Sequence, residues 1–231
     1  MNRSIGARAA AEAVGTALLV GIGTGTIVEA ARLGGIPLLA TTGAWFLAVL
    51  IPIVLFIRIS GAHLNPVVTL ALAASGRIAW REVPFYVLGQ FSGAFLGSAV
   101  VLATLGEVAH LGATVPTQGN FLRAFPAELA FTAALVTAVF VLSDLGEGRS
   151  RWRVLLPPTV VALATYLIGP WTGSSLNPAR TLAPAILSGT YVDLWVYLTA
   201  VPLAGLLVAV LWRPRSVDRL DRGPGRGDIS S

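Results

Sequence analysis

The chain contains two copies of one pattern, and each copy holds an odd number of membrane-length segments. The block Ala11-Glu12-Ala13-Val14-Gly15-Thr16-Ala17-Leu18-Leu19-Val20 matches Ala127-Glu128-Leu129-Ala130-Phe131-Thr132-Ala133-Ala134-Leu135-Val136 at six of ten positions, including an acid inside an apolar run. About fifty residues after each block begins stands Leu-Asn-Pro, at 64–66 and 176–178, followed in both copies by Thr-Leu-Ala at 69–71 and 181–183. A helix that crosses a bilayer needs about 20 mostly apolar residues. Six stretches meet that need: 9–28, 37–57, 83–105, 124–143, 154–168 (the shortest) and 194–212. Each copy therefore has three spans, so the second copy enters the membrane from the opposite face.

Two further apolar segments, 65–74 and 177–187, are about half the spanning length and both begin Asn-Pro. Asn is a strong N-cap, and Pro is tolerated in the first turn because its missing N–H had no helical partner. Each segment is predicted to be a half-helix. Entering from opposite faces, the two should meet N-terminus to N-terminus near the midplane, the inverted-repeat arrangement in which broken helices build a solute site. The fold class is thus an all-α membrane protein of six transmembrane helices plus two re-entrant half-helices. Repeat 1 covers about 9–105 and repeat 2 about 124–212, within a single transmembrane domain over 1–212. Residues 213–231, with Gly223-Pro224-Gly225 among alternating charges, read as a disordered cytoplasmic tail.

Composition supports a bilayer and removes other classes. Hydrophobic residues make up 55% of the chain and charged residues 12%, with a mean hydropathy of +0.77; soluble domains carry about 25% charged residues. All sixteen basic residues are Arg, against eleven acids. With the N-terminus inside, thirteen of the sixteen fall on cytoplasmic segments, leaving Arg32, Arg123 and Arg180, as the positive-inside rule requires. That clustering points to the lipid bilayer as partner and to no nucleic acid. Arg3 and Arg8 ahead of an apolar run resemble the start of a signal peptide. The run carries Glu12 and continues to about Val28, so it reads as a retained first helix of a multi-pass protein in an inner or plasma membrane. There is no Cys, and the two His residues, His63 and His110, lie far apart in sequence. Neither a metal site nor a cofactor is expected.

Non-helical backbone survives at membrane depth only where protein covers it or where it lines a wet cavity. The loops 60–64 and 172–176 are therefore candidate pore lining. Two Asn-Pro boxes, Ser60-Gly61-Ala62-His63-Leu64-Asn65-Pro66-Val67 and Gly173-Ser174-Ser175-Leu176-Asn177-Pro178-Ala179-Arg180, with an Ala-Glu block opening each repeat, resemble the aquaporin or major intrinsic protein family. The resemblance covers about Glu12 to Trp212. The first box departs from the family's usual Asn-Pro-Ala by having Val67, which is bulkier and bears on how the half-helices pack. The resemblance implies a passive, proton-excluding channel for water and small neutral solutes, assembled as a homotetramer with one pore per subunit.

A solute leaving bulk water needs replacement hydrogen bonds in a narrow apolar tube. The carbonyls of Gly61, Ala62, His63 and Leu64 and of Gly173, Ser174 and Ser175 offer acceptors, and Asn65 and Asn177 offer side-chain donors while also capping their helices. Two helix N-termini aimed at one point disfavour cations there. Arg180, on the first turn of the second half-helix, is a charge inside the membrane envelope and marks a pathway. By resemblance it is one corner of a selectivity constriction whose other corners, carried over by spacing, are Trp45, Thr165 and Ser174. Trp45 with a small Thr165 resembles glycerol-conducting members, whereas Thr181 and Ala185 resemble water channels.

Glu12 and Glu128 are expected to accept hydrogen bonds from the re-entrant loops, with a proton relay as the alternative. His63 reads as a loop brace, and Gly89, Gly93 and Gly97 as a packing seam on one helix face. Three function classes compete: the channel; an ion-coupled carrier, which has almost no ionisable relay beyond the two Glu; and a hydrolase using Ser174 or Ser175 with His63, which lacks a group to orient the base. Because the chain has no Cys, mercurial reagents should leave its permeability unchanged in liposome assays. Strong, reductant-reversible inhibition would contradict this reading.

Overall fold

The computed structural model describes residues 3–117, 120–144 and 151–212, and all regular structure among them is helical. The expected tail at 213–231 lies outside the described residues. The elements are α1 (Ile5–Arg32), α2 (Leu38–Phe56), α3 (Pro66–Ala74), α4 (Val83–Leu105), α5 (Phe121–Asp144), α6 (Leu156–Leu167), α7 (Gly169–Thr172), α8 (Pro178–Ser188) and α9 (Leu194–Leu211). The half-helices are α3 and α8. Asn65 and Asn177 cap them, each accepting a backbone N–H two residues ahead, with Pro in the first turn.

Among the described residues, five helices are long and apolar enough to cross a membrane. The fifth expected span, 154–168, holds a shorter helix. Its α-helix, α6, has 12 residues and rises about 18 Å, against a hydrocarbon core of about 30 Å. Pro157 and Pro158 lack N–H groups and sit in its first turn, so the preceding residues, Arg151–Leu155, wind as a 3₁₀ helix instead. At the other end Pro170 has no N–H to continue the ladder. The chain breaks at Ile168 and resumes for the single turn α7. The 3₁₀ segment, at about 2 Å per residue, supplies much of the missing length.

The bundle is inside-out only in the sense a bilayer demands. Leu88 and Leu122 are 67% and 77% exposed, which places apolar side chains outward, towards acyl chains. α1 and α4 form the closest pair. A Cβ built on Gly89 or Gly97 would lie 2.5 Å from the carbonyl oxygen of Ala9 or Ala17, and one on Gly93 would collide with that of Ala13. The expected seam is therefore a backbone-to-backbone contact, repeated every four residues. Each half-helix packs chiefly on the last span of the other copy, α3 on α9 and α8 on α4, so the two repeats interlock.

Two ion pairs tie element ends together. Arg8 donates to both carboxylate oxygens of Glu82, at 2.7 and 2.9 Å, fastening α1 to the turn before α4. Arg77, just past α3, donates to both oxygens of Asp144 at 2.8 and 2.7 Å and lies over the Phe140 ring, while the Trp212 indole N–H donates to Asp144 at 2.9 Å. The ends of α3, α5 and α9 are thereby joined.

Gly93→Ala should destabilise the fold by about 1–3 kcal/mol, since an added methyl has only backbone to displace. Gly6→Ala, where a built Cβ meets nothing within 4 Å, should be neutral or slightly stabilising. Thermal unfolding in detergent separates the two.

Candidate functional site

The loops entering α3 and α8 adopt the same unusual backbone in both copies. Gly61, Ala62 and Leu64 have φ of 90°, 50° and 56°, and Gly173, Ser174 and Leu176 have φ of 78°, 48° and 55°. His63 and Ser175 are the intervening residues. For the non-glycine members, a left-handed backbone costs about 1–2 kcal/mol each, so something must hold it. The carbonyls of Gly61, Ala62 and His63, and of Ser174 and Ser175, accept no hydrogen bond from the described residues. They remain free for a solute.

What holds the loops is the pair of buried acids. Glu12, fully buried, accepts the N–H of His63 at 3.0 Å and of Leu64 at 2.6 Å, the Ser60 hydroxyl, and the Gln90 amide at 2.7 Å. Glu128, equally buried, accepts the N–H of Ser175 at 3.0 Å and of Leu176 at 3.0 Å. The repeat-matched placement read from sequence thus becomes repeat-matched contact. Neither acid lines the cavity.

The two Asn side chains each do a second thing besides capping. Asn65 Nδ2 donates to the Leu176 carbonyl at 2.7 Å, and Asn177 Nδ2 donates to the Leu64 carbonyl at 2.8 Å. A primary amide has two N–H bonds, so each Asn keeps one for the cavity that both residues line. Pro66, Pro178 and Ala179 are buried behind them, and Val67 is 1% exposed and packed with Val201, Val208 and Ala209. Its neighbour Val68 lines the cavity instead.

The cavity runs past Trp45, Val49, Ile53, both loops and Arg180. The Arg180 guanidinium sits 4.8 Å from the Trp45 ring centroid. Its Nη1 donates to the Gly112 carbonyl at 2.7 Å and its Nη2 to the Gly173 carbonyl at 3.4 Å. Gly112 is delivered by a turn in which Ala109, His110 and Leu111 are all left-handed, with φ of 48°, 51° and 53°. Leu111 anchors that turn, fully buried against Val28 and Val101. Trp45 lies against α1 where Gly23 leaves room, its ring 2.5 Å from a Cβ built there.

Two polar atoms at this narrowing, Arg180 Nε and Ser174 Oγ, are buried without a hydrogen-bond partner among the described residues. Both belong to cavity-lining residues. Thr165, the fourth expected corner, is not among the lining residues. It stands across Gly169 from Ser174, and its hydroxyl donates to the Val161 carbonyl at 2.9 Å. Gly173 likewise sits behind the lining, its carbonyl spent on Arg180.

Sequence reasoning assigned no bracing role to several residues of this site. Tyr86 donates to the Ser60 carbonyl at 2.6 Å and stacks on His63, and Tyr197 donates to the Thr172 carbonyl. Thr69 bonds His63 Nδ1 at 3.0 Å, and Thr181 bonds the Ser175 hydroxyl and, at 3.2 Å, Thr114. Thr69 and Thr181 open the matched Thr-Leu-Ala triplets, four residues after Asn65 and Asn177. Tyr86 and Tyr197 stand 21 and 20 residues after those Asn, so they match in contact rather than in fixed spacing.

Comparison with known proteins gives consistent findings. The family model described as Major intrinsic protein matches residues 3–212. Aquaporin NIP1-1 of Zea mays is 36% identical over 204 residues, covering 87% of this chain and 71% of that protein. Aquaporin NIP6-1 of Arabidopsis thaliana is 36% identical over 208 residues, covering 90% and 68%. The X-ray structure of the aquaglyceroporin from Plasmodium falciparum shares the fold, with a TM-score of 0.79 at 24% identity, covering 95% of this chain and 100% of that one.

The acids should differ in what they bear. Glu12→Gln puts an NH₂ group among four donors and should cost about 2–3 kcal/mol, whereas Glu128→Gln, facing two backbone donors, should cost about 1 kcal/mol. Melting temperatures of the two variants in one detergent give the order.

Proposed function

The chain belongs to the major intrinsic protein family, and from that premise we propose that its constriction admits small polyols and other compact neutral hydroxy compounds, urea and undissociated metalloid hydroxides included, alongside water. The chain is a channel for water and small neutral solutes. The finer reading rests on one observation, the wall formed by Trp45, Arg180 and Ser174. One side is an aromatic face. The other is formed by Arg180 and Ser174, whose buried Nε and Oγ have no hydrogen-bond partner among the described residues. A polyol has the matching chemistry, with its carbon chain against the ring and its hydroxyls replacing lost water on the polar side. Thr165, set back with its hydroxyl turned to its own helix, leaves the passage wider than a larger side chain there would.

Protons and cations are excluded at the junction of the half-helices. The N-termini of α3 and α8 each carry roughly half a positive charge, and they face the same midpoint, where Asn65 and Asn177 are bonded across to the opposite loop. A hydroxonium ion there would meet donors and positive potential. The functional unit in this reading is the domain 1–212, assembled as a homotetramer in an inner or plasma membrane with both termini cytoplasmic.

A stricter water channel is the second reading, favoured by Thr181 and Ala185. Thr181 is fully buried and bonded to Thr114 and Ser175. It acts on loop packing rather than on the width of the passage, which weighs for the first reading.

Stopped-flow light scattering of proteoliposomes tests the choice. Under an impermeant osmotic gradient the vesicles should shrink rapidly, and under a glycerol gradient they should re-swell. Thr165→His should cut glycerol entry about tenfold while water changes far less, and Trp45→Ala should raise glycerol entry. Fast shrinkage with no re-swelling in the native chain would instead select the water channel.

A further inference from the structure

We infer that Gly205 on α9 is a positioning residue for the first half-helix, matched in volume to Val67, and that the pair sets the width of the pathway at Asn65. The inference rests on the channel reading above and adds a residue that lies outside both Asn-Pro boxes.

Val67 is buried and lies in the α3–α9 interface, not in the cavity. A Cβ placed on Gly205 would collide with Val67 Cγ1, and would stand 3.4 Å from the Val67 carbonyl oxygen and 3.7 Å from its Cβ. The glycine is thus the space into which the branched side chain fits. From Val67 the link to the pathway is short. Its N–H donates to Asn65 Oδ1 at 2.9 Å, and Asn65 Nδ2 donates across to the Leu176 carbonyl at 2.7 Å. A push on Val67 therefore moves the donor that faces the solute.

The other copy supplies a control within the same chain. Tyr86 and Tyr197 brace equivalent carbonyls, which aligns α4 with α9 and places Ala94 where Gly205 stands. Ala179 stands where Val67 stands. Ala94 and Ala179 are both fully buried in one cluster. One interface is filled by Val with Gly and the other by Ala with Ala, so a side chain enlarged on the half-helix is met by one reduced on the span. Close-packed interiors tolerate exchanges that conserve volume far better than one-sided changes.

Four proteins decide it: native, Val67→Ala, Gly205→Ala and the double variant, reconstituted in liposomes and assayed with water and with glycerol. Val67→Ala lets α3 sink towards α9 and should raise the glycerol-to-water permeability ratio at least about twofold, while Gly205→Ala presses α3 towards the pathway and should lower it by a similar factor. The double variant, which makes the first interface like the second, should return the ratio to the native value. A native ratio in both single variants overturns the inference, as does a double variant no different from Gly205→Ala. If Gly205→Ala does not fold, a raised ratio in Val67→Ala that the double variant reverses supports the inference, and an unchanged ratio in Val67→Ala overturns it. Water permeability of the native chain above that of empty liposomes tests the channel reading separately, since packing of a merely structural kind would alter amount or stability and leave the ratio alone.

Discussion

Two carboxylates with no cationic partner within contact among the described residues organise the centre of the molecule. Glu12 and Glu128 are fully buried and take their stabilisation from donors, mostly backbone amides of the re-entrant loops. In a membrane an unsatisfied amide or an isolated charge costs several kcal/mol, so acid and loop each answer the other's requirement. The arrangement also sorts the backbone. Amides of residues 63–64 and 175–176 turn to the acids, and the neighbouring carbonyls are left for the pathway. Left-handed residues such as Ala62 and Ser174 are the conformational cost of that sorting.

The copies share this plan but are not equivalent. The first surrounds its acid with Ser60, Gln90, His63 and Tyr86, a dense polar group that leaves the loop little freedom. The second has fewer such contacts and carries Arg180, which reaches two carbonyls on separate segments and stacks near Trp45. The two halves thus differ in what surrounds a loop backbone they share.

Much of this was legible in the sequence because the signals were periodic and repeated. The Asn-Pro boxes located both half-helices to within a residue or two, and the Ala-Glu blocks gave the acids their loops. Side-chain direction was less legible than position. Spacing singled out Thr165, and a β-branched hydroxyl on a helix can bond the carbonyl four residues back, as this one does at 2.9 Å. Hydropathy placed the fifth span at 154–168, and Pro157, Pro158 and Pro170 set the ends of its helix, with a 3₁₀ segment before it and the single turn α7 after it. Val67 looked like a departure within a motif. Its compensation by Gly205 lies 138 residues away in the chain, beyond the reach of any local pattern.

The crossed bonds between Asn65 and Leu176 and between Asn177 and Leu64 join residues 111 and 113 positions apart. During synthesis, the first half-helix can be capped by Asn65 long before its partner carbonyl exists, whereas its seat against α9 forms last. The bond that closes the pathway has to wait for most of the second repeat. An incompletely made chain is thus a set of helices without the two crossed bonds that join the halves of the conduit.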